Sequence, residues 1–228
     1  MPNADRTNIA ALIPCYFEEK SIRDVATRAR AQLDTVLVVD DGSTDRTSQE
    51  ARAAGVQVIT HERNQGKGAA IKTGLQALVA SGVSWVLILD GDGQHVPEEI
   101  TRFIATANET GAGMIVGNRM GDTRTMPLVR SLTNRTMSWL ISHVAGQAIP
   151  DTQCGYRMFT SELAAAFLNM ASSNFDFESE MLVLAARRGV RIAAAEVSTV
   201  YGDEVSKIHP VRDTIRFLKL LARMRRAT

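Results

Sequence analysis

Over the first 120 residues, short apolar runs alternate with longer mixed stretches. Ile9–Ile13 closes at Pro14, and Thr35–Val39 runs into Asp40-Asp41-Gly42-Ser43. Val56–Thr60 follows Gly55, and Trp85–Leu89 stops at Asp90-Gly91-Asp92-Gly93. Runs of about five residues, nearly continuous in apolar or β-branched character, predict strands buried on both faces. Between them the spacing predicts helices over Ser21–Leu33, Thr44–Ala54 and Gly68–Ala80, the last two ending at or near Gly55 and Gly82. Ser21 precedes Asp24 in a capping-box-like order. A helix past Pro97 to Asn108 and a strand over Met114–Val116 continue the alternation. The pattern predicts an α/β fold with a Rossmann-like, mostly parallel sheet and helices on both faces.

The second half is less regular. A long helix is predicted over Pro127–Ala145, a loop over Asp151–Arg157, a helix over Phe177–Arg188, a strand over Arg191–Thr199 and a C-terminal helix from Val211. We expect a single domain with a first half (1–120), a second half (121–204) and a basic amphipathic C-terminal helix (205–228).

In parallel sheets ligands bind beyond the carboxyl ends of the strands. Three predicted strands end in Pro14-Cys15-Tyr16-Phe17-Glu18, Asp40-Asp41 and Asp90-Gly91-Asp92, so polar chemistry gathers at one edge. Two carboxylates one residue apart in a glycine turn can share a divalent cation and leave positions for phosphate oxygens. Asp90 and Asp92 therefore point to Mg2+ or Mn2+ on a nucleoside diphosphate. The alternative is a hydrophilic, helix-capping turn. The adjacent pair Asp40-Asp41 is eased when donors such as a base N–H or ribose hydroxyls face it; capping of the next helix by Ser43, Thr44 or Asp45 competes with that reading.

Composition narrows the class. Hydrophobic residues are 45% and charged residues 22%, which excludes wholesale disorder and a polytopic membrane protein. No stretch reaches the twenty or so apolar residues of a spanning helix, and Met1–Asn8 lacks the order of a signal peptide. Cys15 and Cys154 have no metal or disulfide-framework spacing, so a cytoplasmic location is expected. A net charge of +1 argues against nucleic acid as a partner. The charge is unevenly placed: residues 205–228 hold seven Lys or Arg against Asp213, so they carry +6 and the preceding residues −5. His61, His143 and His209 read as surface or packing residues, with His95 set apart by its place after the Asp-x-Asp turn. Gly66-Lys67-Gly68 is not a Walker loop, and no Gly-x-Gly-x-x-Gly follows the first strand.

Four motifs occur in a fixed order: Pro14-x-Tyr16-x-Glu18, Val38-Val39-Asp40-Asp41-Gly42-Ser43-Thr44-Asp45, Asn64-Gln65-Gly66-Lys67-Gly68 and Leu89-Asp90-Gly91-Asp92-Gly93-Gln94. In this the chain resembles family 2 glycosyltransferases of the GT-A fold, and among them the dolichyl- or polyprenyl-phosphate mannose synthase branch. The resemblance implies that Pro14, Tyr16, Glu18, Asp40 and Asp41 hold the nucleoside, with Lys67 and Asp90 also on the nucleotide, and that Asp90, Asp92 and Gln94 hold the metal and pyrophosphate. Downstream it extends to Gly117-Asn118-Arg119, Arg130 with Asn134, Asp151 to Arg157, Glu178 and Glu180, and Ser206-Lys207. It implies that Arg119 and Arg130 meet the phosphates of donor and lipid acceptor, with Asn134, Ser206 and Lys207 on the acceptor side. Phe17 stands where the family often has Asn, and Tyr201 lies near the place of a further arginine.

The implied activity is inverting transfer from a GDP- or UDP-linked sugar to a polyprenyl phosphate. A phosphate acceptor is already anionic and needs no strong base. A carbohydrate or lipid hydroxyl needs a carboxylate to take its proton, and Asp151, Glu178 and Glu180 are the candidates. A non-catalytic sugar-nucleotide-binding protein is the reading from a different class. Ile215, Leu218 and Leu221 share one face of the C-terminal helix, while Arg212, Arg216, Lys219, Arg223 and Arg226 populate much of the remainder. That face packs on the core or lies at an anionic membrane surface as a peripheral contact, assisted in the second case by Trp139 and Leu140. Co-sedimentation with anionic liposomes separates the two: peripheral binding falls with added salt and with removal of residues 211–228, whereas a core-packed helix leaves the protein in the supernatant at low salt.

Overall fold

The computed structural model describes residues 2–121, 126, 128–170 and 176–198. The predicted C-terminal helix and Ser206-Lys207 lie outside them. Strand β1 (Ile9–Cys15) is buried at every position and pairs in parallel with β2 (Thr35–Asp40) on one side and β4 (Trp85–Ile88) on the other. With β3 (Gln57–Thr60), β5 (Met114–Asn118), β6 (Arg157–Thr160) and β7 (Ile192–Glu196), it forms one seven-stranded sheet of order β3-β2-β1-β4-β6-β5-β7. The sheet is parallel except for β6, which runs antiparallel to both neighbours.

The order of connections creates the crevice. Helices α1 (Ile22–Gln32) and α2 (Thr47–Ala53) carry the chain outward from β1 to β3, and α3 (Lys67–Ala80) then brings it back past β1 to β4. Right-handed crossovers in opposite directions put α1 and α2 on one face and α3 on the other. The connections therefore diverge between the carboxyl ends of β1 and β4, and a ligand can enter there. Helix α4 (Ile100–Thr110), preceded by a 3-10 turn at Pro97–Glu99, packs on β5 and β7. Helices α6 (Ser161–Phe167) and α7 (Asp176–Arg187) join α3's side, and α5 (Leu128–Ala145) lies against α7. Trp85, Phe103, Tyr156, Phe159, Phe167 and Phe177 are fully buried in a core that is continuous across the sheet.

Most predicted elements are present with ends moved by up to three residues. Two differ. The Ser21–Asp24 order forms no side-chain cap, because Ser21 Oγ instead donates to the Gly91 carbonyl at 2.8 Å and pins the start of α1 to the Asp90–Asp92 turn. Strand β6 and helix α6 occupy a region whose sequence shows no strand signal. β6 opens on Arg157, which is 1% exposed. Its Nε donates to Cys154 O at 2.8 Å and its Nη2 to Thr152 O at 2.9 Å, while Nη1 donates to Glu178 O. A charge is tolerated inside because backbone carbonyls take its protons.

This predicts a large cost for Arg157→Met, which keeps the stem and removes the donors. Three buried carbonyls lose partners worth about 1–3 kcal/mol each, so urea unfolding should show a loss of about 3 kcal/mol or more. A loss under about 1 kcal/mol would mean that water replaces the guanidinium.

Candidate active site at the carboxyl edge

The antiparallel direction of β6 brings the second half of the chain to the edge where β1, β2 and β4 end. Arg157, the first residue of β6, pairs with Ile88 near the end of β4 and with Val116 near the end of β5. The 151–156 loop therefore lies beside the Asp90–Asp92 turn and the Gly117-Asn118-Arg119 segment.

At the end of β4, Asp90 Oδ1 lies 2.6 Å from Lys67 Nζ, and Glu178 Oε1 lies 3.2 Å from the same ammonium. Asp90 Oδ1 is buried, and its close neighbour is this ammonium. All three side chains keep partial access to solvent. Burial works to raise the Asp90 carboxyl, but the positive charges of Lys67 and Arg119 outweigh it and hold it below the usual carboxylate range. Burial likewise disfavours the Lys67 cation, and Asp90 and Glu178 together overcome that and raise its pKa. Gly155 makes a close approach: a Cβ there would stand 3.0 Å from Asp90 Oδ2, 3.1 Å from Glu178 Oε1 and 3.4 Å from Lys67 Nζ, so these side-chain ends would have to give by a few tenths of an ångström. His95 stacks on Tyr156 with centroids 4.9 Å apart and accepts the Asp90 amide N–H at Nδ1, 3.1 Å away. Burial pushes its pKa down to about 4, with Lys67 adding to the effect against Asp90. The ring is thus neutral at pH 7 with its proton on Nε2.

At the end of β2 the acidic pair is satisfied from within. Asp40 Oδ1 accepts from Ser43 N–H at 3.1 Å and Ser43 Oγ at 2.5 Å, and Oδ2 accepts from Ser48 Oγ at 2.5 Å. Asp41 Oδ1 accepts from His61 Nδ1 at 2.7 Å and Gln65 N–H at 2.9 Å, and Oδ2 from Gly66 N–H at 2.7 Å. Asp41 thereby fixes the 65–66 loop and, one residue later, the first residue of α3, Lys67. Both carboxylates are buried. His61, expected to be an ordinary packing or surface residue, completes this brace and bonds Thr73 Oγ1 at 2.9 Å through Nε2. Gly42, at φ +77°, is needed because a Cβ would meet the Arg63 backbone at 2.5 Å.

Pro14 falls in the last turn of the β1 ladder, on the side facing β4 and beyond the final β1–β4 pair, Leu12 with Ile88, so its missing N–H breaks no ladder bond. Tyr16 and Glu18 are half-buried at the mouth. The Glu18 N–H donates to Thr47 Oγ1 at 2.8 Å. Burial, then Asp40, Glu18, Asp45 and Asp41, push the Cys15 thiol far above its ordinary value, so it is no thiolate nucleophile.

Arg119 and Asp151, given separate roles by their sequence context, form a buried two-pronged ion pair. Arg119 Nε donates to Asp151 Oδ2 at 2.7 Å and Nη2 to Oδ1 at 3.0 Å. The Arg119 and Gln153 amide N–H groups also reach these oxygens, at 3.3 and 3.1 Å. Both Asp151 oxygens are thereby engaged in orienting Arg119. On α7, Glu178 reaches Lys67 at 3.2 Å, and Glu180 is half-buried two residues further along. Asn134 is buried on α5, with its amide 4.0 Å from the Met126 sulfur. Arg130 lies in the first turn of α5. Asp92 and Gln94 sit half-buried in the turn after β4, where Asp92 Oδ1 accepts the Gln94 N–H at 2.9 Å.

Among the described residues no cluster of three or more His, Cys, Asp or Glu side chains converges as a complete metal cage. The donor set fits a different arrangement. Mg2+ is commonly held by one or two carboxylates, with water and substrate phosphates completing its shell, and the carboxylates of Asp90 and Asp92, two residues apart in the turn after β4, match that need.

Comparison with known proteins agrees with this geometry. Residues 10–166 match the sequence model of Glycosyl transferase family 2. The chain belongs to that family, and it is a glycosyltransferase of the GT-A fold. It is 33% identical to the glycosyltransferase AglJ of Haloferax volcanii, over 98% of this chain and 73% of that protein. It is 28% identical to the UDP-N-acetylglucosamine–dolichyl-phosphate N-acetylglucosaminyltransferase of Methanococcus voltae, over 85% and 86%. Among solved structures, glucosyl-3-phosphoglycerate synthase from Mycobacterium tuberculosis, in complex with Mn2+, UDP and glucosyl-3-phosphoglycerate, superposes with a TM-score of 0.69 at 19% identity, covering 96% of this chain and 78% of that one.

The bracing of Asp41 is testable without any ligand. Asp41→Asn replaces an acceptor-only carboxylate by an amide that cannot accept from three N–H groups at once, and hydrogen bonds to charged groups are worth about 1.5–3 kcal/mol. The nucleotide-free variant should lose about 2 kcal/mol or more in urea unfolding. Unchanged stability would return Asp41 to a ligand-facing role.

Proposed function

We propose that this glycosyltransferase moves a sugar, with inversion at the anomeric carbon, from a GDP- or UDP-linked donor to a polyprenyl phosphate, with a divalent metal ion. The observation that carries the acceptor class is the state of the carboxylates around the crevice. Asp151 is bound on both oxygens by Arg119, Glu178 contacts Lys67, and Asp40 and Asp41 are filled by protein donors. An acceptor hydroxyl needs a carboxylate to take its proton, whereas a lipid phosphate arrives ionised. The dolichyl-phosphate substrate in the name of the Methanococcus voltae relative supports the same class.

Breaking the anomeric C–O bond transfers the electron pair to the leaving nucleoside diphosphate. Positive groups fixed near that oxygen stabilise the transition state more than the ground state. Lys67 and Arg119 are such groups, and each is held by carboxylates before substrate enters. Asp90 and Asp92, with Gln94 beside them, would hold Mg2+ or Mn2+, whose role when bound is to offset charge on the diphosphate. Tyr16 and Glu18 line the nucleoside side, and Pro14 shapes the strand end behind them. Asp40 and Asp41 act on that side through the loops they hold. Arg130, in the first turn of α5, with Asn134 one turn later and Ser206-Lys207, serves the acceptor phosphate.

Among the described residues no helix is long and apolar enough to cross a membrane. A peripheral contact at the cytoplasmic face of the membrane suits a lipid acceptor. Leu132 and Trp139, 69% and 67% exposed, lie seven residues apart on one face of α5, whereas Leu140 is turned inward.

A transfer assay with UDP- and GDP-sugars against a short polyprenyl phosphate and the matching polyprenol tests the reading. Transfer to the phosphate should dominate and stop in EDTA. Asp92→Ala should reduce it about 100-fold or more, with stability within about 0.5 kcal/mol of wild type. Equal transfer to the polyprenol would place the enzyme among hydroxyl-directed members, and full activity in EDTA would remove the metal.

A further inference from the structure

Phe17 is the one non-glycine residue with positive φ among the described residues, at 58°. An L side chain is disfavoured there because its Cβ crowds the backbone, and a bulky aromatic residue is an outlier in a region visited mainly by glycine and asparagine. Such strain persists only where the surroundings impose it, and they do. The Phe17 N–H donates to Ser43 Oγ at 2.9 Å, and Ser43 Oγ donates to the buried Asp40 carboxylate at 2.5 Å. The next residue is anchored through Thr47.

Packing does not account for this conformation, since the Phe17 ring remains 45% exposed. Its ring neighbour is Tyr16, with centroids 4.3 Å apart and planes inclined by 59°. The two inclined rings follow the end of β1 beside the Asp40 turn, and Phe17 leaves much of its surface open for a flat π system to lie against. Its face can lie on one ring and its edge on the other, a favourable arrangement for aromatic groups.

We propose that Phe17 is a specificity-determining residue that stacks on the nucleobase of the donor, the left-handed backbone turning its ring toward the nucleotide. This rests on the reading of the substrate as a nucleoside diphosphate sugar. A base–aromatic contact of ordinary strength corresponds to roughly a 5- to 100-fold change in affinity.

The experiment is calorimetric titration of the full chain with UDP, GDP and inorganic pyrophosphate, each with Mg2+, on wild type, Phe17→Asn and Phe17→Leu, with thermal unfolding of each protein alone. Asparagine accepts the left-handed conformation, whereas leucine keeps the strain and the apolar bulk without the ring. Both variants should bind the nucleotide preferred by wild type about 5- to 100-fold more weakly and bind pyrophosphate within about twofold of wild type. Phe17→Asn alone should melt no lower than wild type. Unchanged nucleotide affinity in Phe17→Asn, or wild-type affinity in Phe17→Leu, overturns the stacking role. An equal loss for pyrophosphate also overturns it, making Phe17 a brace for the loop. If wild type binds pyrophosphate but neither nucleotide, the donor reading itself falls and takes this role with it.

Discussion

The site depends on one buried cation. Arg157 stands inside the sheet between β4 and β5, and its guanidinium holds the carbonyls of Thr152, Cys154 and Glu178. Inside a protein an unpaired charge or carbonyl is costly, so the strand, the loop before it and the start of α7 settle together or not at all. That single set of bonds sets the 152–154 loop and α7 against the end of β4, and so brings Glu178 and Gly155 up to Asp90 and Lys67.

Around that frame the crevice is built by pairing opposite charges before substrate arrives. Asp90 and Glu178 share Lys67, and Asp151 grips Arg119. The two cations are thus kept charged and pointed in a partly buried place where neither would rest alone. Preorganised positive groups of this kind do not have to reorient as the leaving diphosphate gains charge. The same pairing engages Asp151 and Glu178, two of the carboxylates around the crevice, with cations.

The acidic pair at the end of β2 shows how a motif and its physical role can separate. Asp40 and Asp41 belong to the segment that marks the family, yet each spends its oxygens on its own chain. Asp40 fastens the Ser43 and Ser48 hydroxyls, and Asp41 collects His61, Gln65 and Gly66. Repulsion between adjacent carboxylates is relieved by these protein donors. The pair acts by fixing Lys67 on one side and the Phe17 backbone, through Ser43, on the other.

By itself the sequence determined the parallel α/β core, because strands buried on both faces leave continuous apolar runs and glycines mark the turns between them. It also determined which residues stand at the carboxyl edge of β1, β2 and β4, since each of these runs stops at its motif, and the ordered motifs identified the family. Only the tertiary structure decided the second half of the site. Strand β6 begins with a charged residue and is four residues long, so no local pattern announces it. Its antiparallel insertion, the meeting of Arg119 with Asp151 and the contact of Glu178 with Lys67 all arise from contacts between residues far apart in the chain. A single sequence records which side chains are available, and partners such as His61 for Asp41 exist only once the strands and loops have been packed against one another.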